Sequence, residues 1–364
     1  MTIFIVDIEA VESRYTGQWM SHVPALLSKE GHNVQTISGP TDIPSATTPG
    51  AFLNFGGTNI YKSVQVEKIS RLFCDGSIHG GDHFLFTDAW HPGIINLKYM
   101  SELLQIPVTI HALWHAGSYD PQDFLGRLIG DAPWVRHAEK SFYHAIDHNY
   151  FATDFHIRMF YENLIQPDTD RKASMYKTVI DDVVFNNKVV RTGWPMEYMK
   201  ETLANYWTIP KRDLILFPHR IAPEKQVNIF RDLATHLPQY EFVVCQDKNL
   251  TKDEYHTLLG QAKIVFSANL QETLGISCYE GALVDAIPMV PDRLSYSEMY
   301  MTEFKYPSEW TDTWENYVKN RLFVIDQIIH YMTNYKNSLP YVRQQAVQLT
   351  ENFFSATKLL ENIK

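Results

Sequence analysis

The sequence predicts an α/β protein made of two Rossmann-like domains, and three observations lead there. Short apolar runs alternate with amphipathic stretches along most of the chain, the pattern of strands joined by helices. The order strand, glycine-bearing loop, helix, strand occurs at the start of the chain and is repeated in its second half. At 364 residues the chain exceeds a usual single core.

Thr2 to Asp7 reads as the first strand, and Ser13, Arg14, Tyr15, Thr16, Gly17 and Gln18 as the turn after it. The helix WMSHVPALLSKEG follows, closed by Gly31, and HNVQTIS is the next strand. Gly17 reads either as a left-handed turn or, with Tyr15 and Gln18, as part of a ligand-facing loop. From Gly39 to Ser63 the composition is that of a loop, in which Gly56 and Gly57 would admit a substrate backbone or a phosphate. DHFLFTDAW, PVTIHALWHAGSYDP and DHNYFATDFHIRMF give three further strands whose ends carry Thr87 and Asp88, His111 and His115, and Thr153 and His156. Ligands of open α/β sheets gather at such strand ends. Asp88, Trp90, Trp114 and Tyr119 join Tyr15 and Gln18 as acceptor-side candidates, although aromatics are as a rule core residues.

Asp168 and Asp170 form an Asp-x-Asp, but Pro167 interrupts any strand leading into it, so the pair reads as a solvated turn and not a metal site. Gly193 and Pro195 break the pattern in VVRTGWPMEYM and set the domain boundary near 190–199, giving a first domain over 1–192 and a second over 193–335. In the second, the buried strand LILF empties into Pro218, His219 and Arg220, and Lys225 opens a helix. Two cations at one strand end suit a diphosphate, although the same residues also read as an exposed basic turn.

AKIVFSANLQETLGISCYEGALVDAIPMVPDRLSY follows: strand, loop, helix, strand. Thr273, Leu274, Gly275 and Ile276 would offer backbone N–H groups to an anion. Glu272 and Glu280, eight positions apart, would reach different parts of one elongated ligand; a solvated surface helix fits the same spacing.

The Glu-x7-Glu from Glu272 to Glu280, with the strand KIVFSANLQ before it and the Arg-x4-Lys of Arg220 and Lys225 upstream, resembles the donor site of retaining glycosyltransferases of the GT-B fold. PMVPDRLSYSEMY resembles more narrowly the queuosine-tRNA mannosyltransferase group, and the look of the whole chain is similar to bacteriophage DNA glycosyltransferases. The resemblance implies a cleft between the two domains and a last helix, within 336–364, crossing back to the first. It implies a nucleoside diphosphate sugar as co-substrate, UDP-linked by preference, with no metal and no other cofactor. Arg220 and Lys225 would neutralise the leaving diphosphate with Leu274 and Gly275 N–H groups beside them. Glu272 would hold sugar hydroxyls and Glu280 the ribose, with Thr273, His219 and Gly17 also at the donor. A histidine after the strand VTIHALWH would touch the donor sugar; the open loop after His115 favours it over His111.

A net charge of −10 argues against a broad nucleic-acid face and would demand a local patch from Lys62, Lys68, Arg71, Arg127, Arg136, Lys140 and Arg158. The similarity to bacteriophage enzymes implies as preferred acceptor a hydroxymethylated pyrimidine such as 5-hydroxymethylcytosine in phage DNA, which would need that patch and, for a flipped base, stacking on Trp90, Trp114, Tyr119 or Tyr61. The alternatives are a tRNA nucleoside, a surface glycan, or a nucleotide-sugar-binding protein without catalysis. No window suits a membrane span or signal peptide, so a cytoplasmic protein with no membrane partner is expected. Cys74, Cys245 and Cys278 have no paired spacing and read as reduced thiols. The sequence is silent on oligomeric state.

Overall fold

A computed structural model describes residues 1–11, 15–44, 46, 53–165 and 188–363. Ser13, Arg14, Asp168 and Asp170 lie outside the described residues. The chain divides into two compact units, 1–195 with 356–364, and 196–355.

The first unit is built on a six-stranded parallel sheet of order β2-β1-β3-β4-β5-β6. Its strands are β1 (Thr2–Val6), β2 (Asn33–Ile37), β3 (His83–Phe86), β4 (Thr109–Trp114), β5 (His148–Phe151) and β6 (Val189–Arg191). Central strands such as β1 and β3 are apolar on both faces because helices cover both sides of a parallel sheet. The Thr16–Lys29 helix starts earlier than the sequence reading placed it, which puts Gly17 and Gln18 in its first turn. Gly17 has no positive φ there, so it is not the left-handed turn the sequence allowed; Gly31, at φ 88°, is the residue that ends the helix.

The largest departure is the stretch read as a loop. Phe55–Cys74 is a 20-residue helix, started by Asn54, whose side chain accepts from the Gly57 N–H at 2.9 Å. Gly56 and Gly57 are therefore helical, and a Cβ on Gly57 would stand 2.2 Å from the Pro44 carbonyl oxygen. Asn and Gly mark loops and helix N-termini alike, and here the cap wins.

This helix sets the ends of β1 and β3. Thr58 donates to Glu9, Tyr61 to Asp7 at 2.7 Å, and Lys62 to Asp88 at 2.7 Å. The fully buried Gln65 amide donates to the carbonyls of Asp7 at 2.8 Å and Ile37 at 2.7 Å, and its oxygen accepts from His91 Nε2.

The second unit carries a five-stranded parallel sheet of order β11-β10-β9-β7-β8. Its strands are β7 (Leu214–Phe217), β8 (Glu241–Val244), β9 (Ile264–Phe266), β10 (Ile287–Pro291) and β11 (Lys305–Tyr306). The Tyr335–Asn352 helix packs against the Ile276–Leu283 helix of this unit. The return to the first unit begins at Ala356, later than the Tyr341 expected from the sequence, and there the Asn362 carbonyl accepts from Tyr150. No described helix is long and apolar enough to cross a membrane.

Replacing Gln65 with Leu keeps the volume but strands two carbonyls and His91, so unfolding should become easier by about 2–4 kcal/mol. Denaturant melting measures this, and an unchanged midpoint would show that the Gln65 network is not needed.

Candidate functional site

The second unit gathers the sequence-predicted residues at the C-terminal ends of β7 and β9. β7 is wholly buried and ends at Phe217; Pro218, His219 and Arg220 follow at once. The chain then turns through a single 3-10 turn, Pro223–Lys225, and Gln226 adopts a left-handed conformation at φ 53° before the Val227–His236 helix. A non-glycine residue rarely sits there. Gln226 is held by its own amide, which donates to the carbonyls of Ala268 and Thr311, both at 2.6 Å.

That turn buries Lys225, leaving 7 % of its surface exposed. Its ammonium donates to the Gln271 carbonyl at 2.5 Å and lies 3.4 Å from Glu272. Arg220 is held 2.5 Å from Glu224, a fully buried carboxylate one turn ahead. Glu224 was not singled out in the sequence, although it is the middle residue of the Pro-Glu-Lys run.

After β9, the loop of residues 267–275 leads into the Ile276–Leu283 helix. Gly275 begins that helix at φ 74°, and a Cβ there would meet the Tyr296 ring at 2.6 Å, so both backbone and space require glycine. Glu272 lies on the loop, before the helix, so the eight-residue spacing to Glu280 joins a loop residue to a helical one. The Glu272 carboxylate faces the Leu274 N–H at 3.5 Å and accepts from Asn269 at 3.2 Å. Burial would raise its pKa, but Lys225, His219 and the Gly275 and Leu274 amides outweigh that and hold it below the usual carboxylate range. The amides expected to meet a phosphate thus already meet a carboxylate, the preference of a helix N-terminus for negative charge.

Thr273 and Leu274 are buried in the same loop. His219 is buried between Asn269 and Ser277, each 3.5 Å from Nδ1, and burial together with Lys225 pushes its pKa down to about 3, so the ring is neutral. Glu280 accepts from Tyr255 at 2.7 Å, and burial pushes its pKa up to about 7 against the pull of Tyr255 and Lys252.

Arg293 props this loop from behind. It donates to the carbonyls of Asn269 at 2.7 Å, Ala268 at 2.8 Å and Ser308 at 2.8 Å, and follows a strand whose next turn holds Leu294 at φ 58°. Tyr296 bonds to Asn269 and Ser267, both at 3.1 Å. The run Pro-Asp-Arg-Leu-Ser-Tyr was visible in the sequence, but the supporting roles of Arg293 and Tyr296 were not.

In the first unit, His115 follows β4 and stands with Tyr15, Trp19 and Trp194 in an aromatic cluster. Its Nε2 faces the Thr87 carbonyl at 2.6 Å and must carry the proton, so Nδ1 accepts from the Tyr15 hydroxyl at 2.6 Å. Asp88 lies two residues past β3; burial would raise its pKa, but the Lys62 ammonium outweighs that and holds it at about 2.

The structure corrects three expectations here. His111 is fully buried in mid-strand, with Nδ1 on Tyr150 at 2.7 Å and Nε2 on His83 at 3.0 Å, and burial holds its pKa well below the usual value; it is a core histidine, out of reach of a ligand. Trp114 is core as well, its indole donating to Asn149. Tyr119 is buried with its hydroxyl on His156. Strand alternation points 111 and 114 into opposite covered faces. Trp90 remains half-exposed, but its indole donates to Glu139. Gly17 and Gln18 lie on the helix turn beside Tyr15. Among the described residues no group of three metal-binding side chains is found.

Because the folded protein keeps the Glu280 proton up to about pH 7, and an unfolded glutamate loses it near 4.5, native stability falls as pH rises between these values. From pH 5 to 8 the native protein should lose on the order of 2–3 kcal/mol relative to a Glu280→Gln variant. Parallel pH profiles of the two proteins would contradict the raised pKa.

No family model matches the sequence, and none of the curated proteins does. Solved structures do. Sucrose-phosphate synthase from Thermosynechococcus elongatus aligns with a TM-score of 0.62 at 9% identity, over 100% of this chain and 97% of that one. The Anabaena protein HepE, solved with UDP and glucose, gives 0.56 at 10% identity over 100% and 98%. The catalytic domain of starch synthase IV from Arabidopsis thaliana, solved with ADP and acarbose, gives 0.54 at 10% over 99% and 97%. With two parallel-sheet units and these likenesses, the chain has the GT-B fold of nucleotide-sugar glycosyltransferases.

Proposed function

We propose that this protein is a glycosyltransferase that moves a sugar from a nucleoside diphosphate sugar, UDP-linked by preference, to an acceptor hydroxyl. The observation that carries this is Lys225, just past the end of β7, lying 3.4 Å from Glu272 on the loop that leads into the Ile276–Leu283 helix, with Arg220 at the same strand end and Glu280 within the helix.

A leaving diphosphate develops negative charge as the bond to the anomeric carbon breaks. Arg220 and Lys225 neutralise that charge without a metal, and the Leu274 and Gly275 N–H groups add to it. To receive the phosphate, these groups exchange the Glu272 carboxylate for it, which frees Glu272 for sugar hydroxyls. His219, kept neutral, can donate a hydrogen bond to the donor without adding charge. Glu280 is suited to the ribose: two vicinal hydroxyls satisfy a carboxylate better than a carboxylic acid, so nucleotide binding should release the Glu280 proton.

We propose transfer with retention because the set Arg220, Lys225, Glu272 and Glu280 resembles the donor site of retaining enzymes. The departing phosphate is then the group that takes the acceptor proton as the hydroxyl attacks on the same face.

For the acceptor, the geometry favours an uncharged glycan hydroxyl over hydroxymethylcytosine in DNA or a tRNA nucleoside. Much of the basic set that nucleic acid would need is committed elsewhere. Lys62 is buried on Asp88, Arg71 pairs with Glu67, Lys68 donates to the Ser38 carbonyl, and Arg136 donates to the carbonyls of Gly130 and Asn163. Trp114, Tyr119 and Tyr61 are buried and offer no face to a flipped base. Glu9 and Asp7, just past β1, add no positive charge to that edge of the sheet.

Release of nucleoside diphosphate from a panel of sugar nucleotides, with oligosaccharides, hydroxymethylcytosine duplex and tRNA as acceptors, tests this. Oligosaccharide-dependent release is expected, with the α-linked donor giving an α-linked product by NMR. Hydroxymethylcytosine-dependent release would reverse the acceptor choice, and no release with any donor would leave a nucleotide-binding protein without catalysis. Arg220→Ala and Lys225→Ala should each lower kcat/KM by about 10² to 10³; unchanged turnover in either would remove it from the mechanism.

A further inference from the structure

The sheet of the second unit has a second occupied edge. Lys211 precedes β7 and Lys263 immediately precedes β9, so both stand at the N-terminal ends of the strands whose C-terminal ends carry Arg220 and Glu272. A strand of four residues spans roughly 13 Å, so the two edges cannot be bridged by one phosphate. At the N-terminal edge a cavity of about 500 Å³ is lined by Lys211, Lys263, Asn334, Tyr335, Lys336 and Asn337.

Each lining group has a definite state. Lys211 donates to the Ala262 carbonyl at 2.8 Å, which leaves two of its three N–H bonds for another partner. Lys263 pairs with Asp213 at 2.5 Å and lies 5.4 Å from the Tyr335 ring centre. Tyr335 is tied back to the Asp285 carbonyl at 2.7 Å, and Asp285 is itself taken by Arg343 at 2.7 Å. Lys336 is exposed in the first turn of the Tyr335–Asn352 helix, which begins without a capping side chain. The acidic neighbours Asp213 and Asp285 are thus each matched by a cation, and Lys211 and Lys336 supply the surplus.

We infer that this cavity is a second anion site, separate from the diphosphate site, that takes a phosphate monoester dianion between Lys211 and Lys336. Two cations match the two charges of the dianion, and the Asn337 amide can meet a hydroxyl of the ester, while the Asn334 amide is bonded to the His330 carbonyl at 3.1 Å. The burial that pushes the Lys211 ammonium down to about 7 is reversed by such a partner, so binding above neutrality takes up a proton.

Calorimetric titration of the full chain with inorganic phosphate and glycerol 2-phosphate, at constant ionic strength, reads the site. A protein carrying Arg220→Ala and Lys225→Ala, blind at the diphosphate site, should still bind both probes. Lys211→Met with Lys336→Gln should weaken them at least about tenfold, the loss of one charged contact or more, and leave UDP binding unchanged. Should Lys211→Met fail to fold, Lys211→Arg should bind the probes but without proton uptake at pH 8, seen by comparing buffers of different ionisation enthalpy. Probe binding that follows Arg220 and Lys225, or no binding to any of these proteins, would overturn the second site. Either result leaves the donor site to its own test.

Discussion

A buried ammonium is the constraint around which the second unit is arranged. Taking Lys225 out of water costs several kcal/mol unless its protons find acceptors, and the structure provides the Gln271 carbonyl and the Glu272 carboxylate. To bring those acceptors within reach, the loop after β9 must be fixed. Gln226 and Arg293 fix it by binding the same backbone stretch, Ala268 and Asn269, from two sides. The strained left-handed backbone at Gln226 and Leu294 marks where the chain bends to deliver those contacts. Charge is balanced as well: Arg220 and Lys225 are opposed by Glu224 and Glu272. Glu224 is fully buried, whereas Glu272 lies on a loop 3.4 Å from Lys225.

The first unit solves a related problem from a single helix. Thr58, Tyr61, Lys62 and Gln65 lie on one side of the Phe55–Cys74 helix and satisfy the polar ends of β1 and β3. The strand ends are acidic, and their carboxylates accept from hydroxyls and from one buried lysine. Such an edge offers little positive charge to a polyanion, and that is the ground on which a glycan is proposed as acceptor in place of DNA.

Much of this was legible in residue order. Strand, loop and helix periodicity located both sheets; Arg220, Lys225, Glu272 and Gly275 lie beyond strand ends and Glu280 in the helix that follows, and it was their resemblance to a known donor site, more than their spacing, that singled them out. Side chains that serve the backbone leave no mark on the sequence: Gln226, Arg293 and Asn269 look like ordinary polar residues until the carbonyls they satisfy are known. The Leu53 to Ser63 stretch misled because Asn and two glycines fit a loop as well as a capped helix start, and only Pro44, brought over Gly57 by the fold, decides between them. His111 and Trp114 misled for another reason. A strand end is defined by its neighbours' register, and β4 runs on to Trp114, which leaves only His115 beyond it.

The most direct measurement is the position of a nucleoside diphosphate in a crystal of the complex. The β-phosphate should lie about 3 Å from Arg220 and Lys225 nitrogens, with Glu272 displaced from Lys225 and the ribose hydroxyls on Glu280. A diphosphate found away from Arg220 and Lys225, with the Lys225–Glu272 contact intact, would contradict the donor site described here.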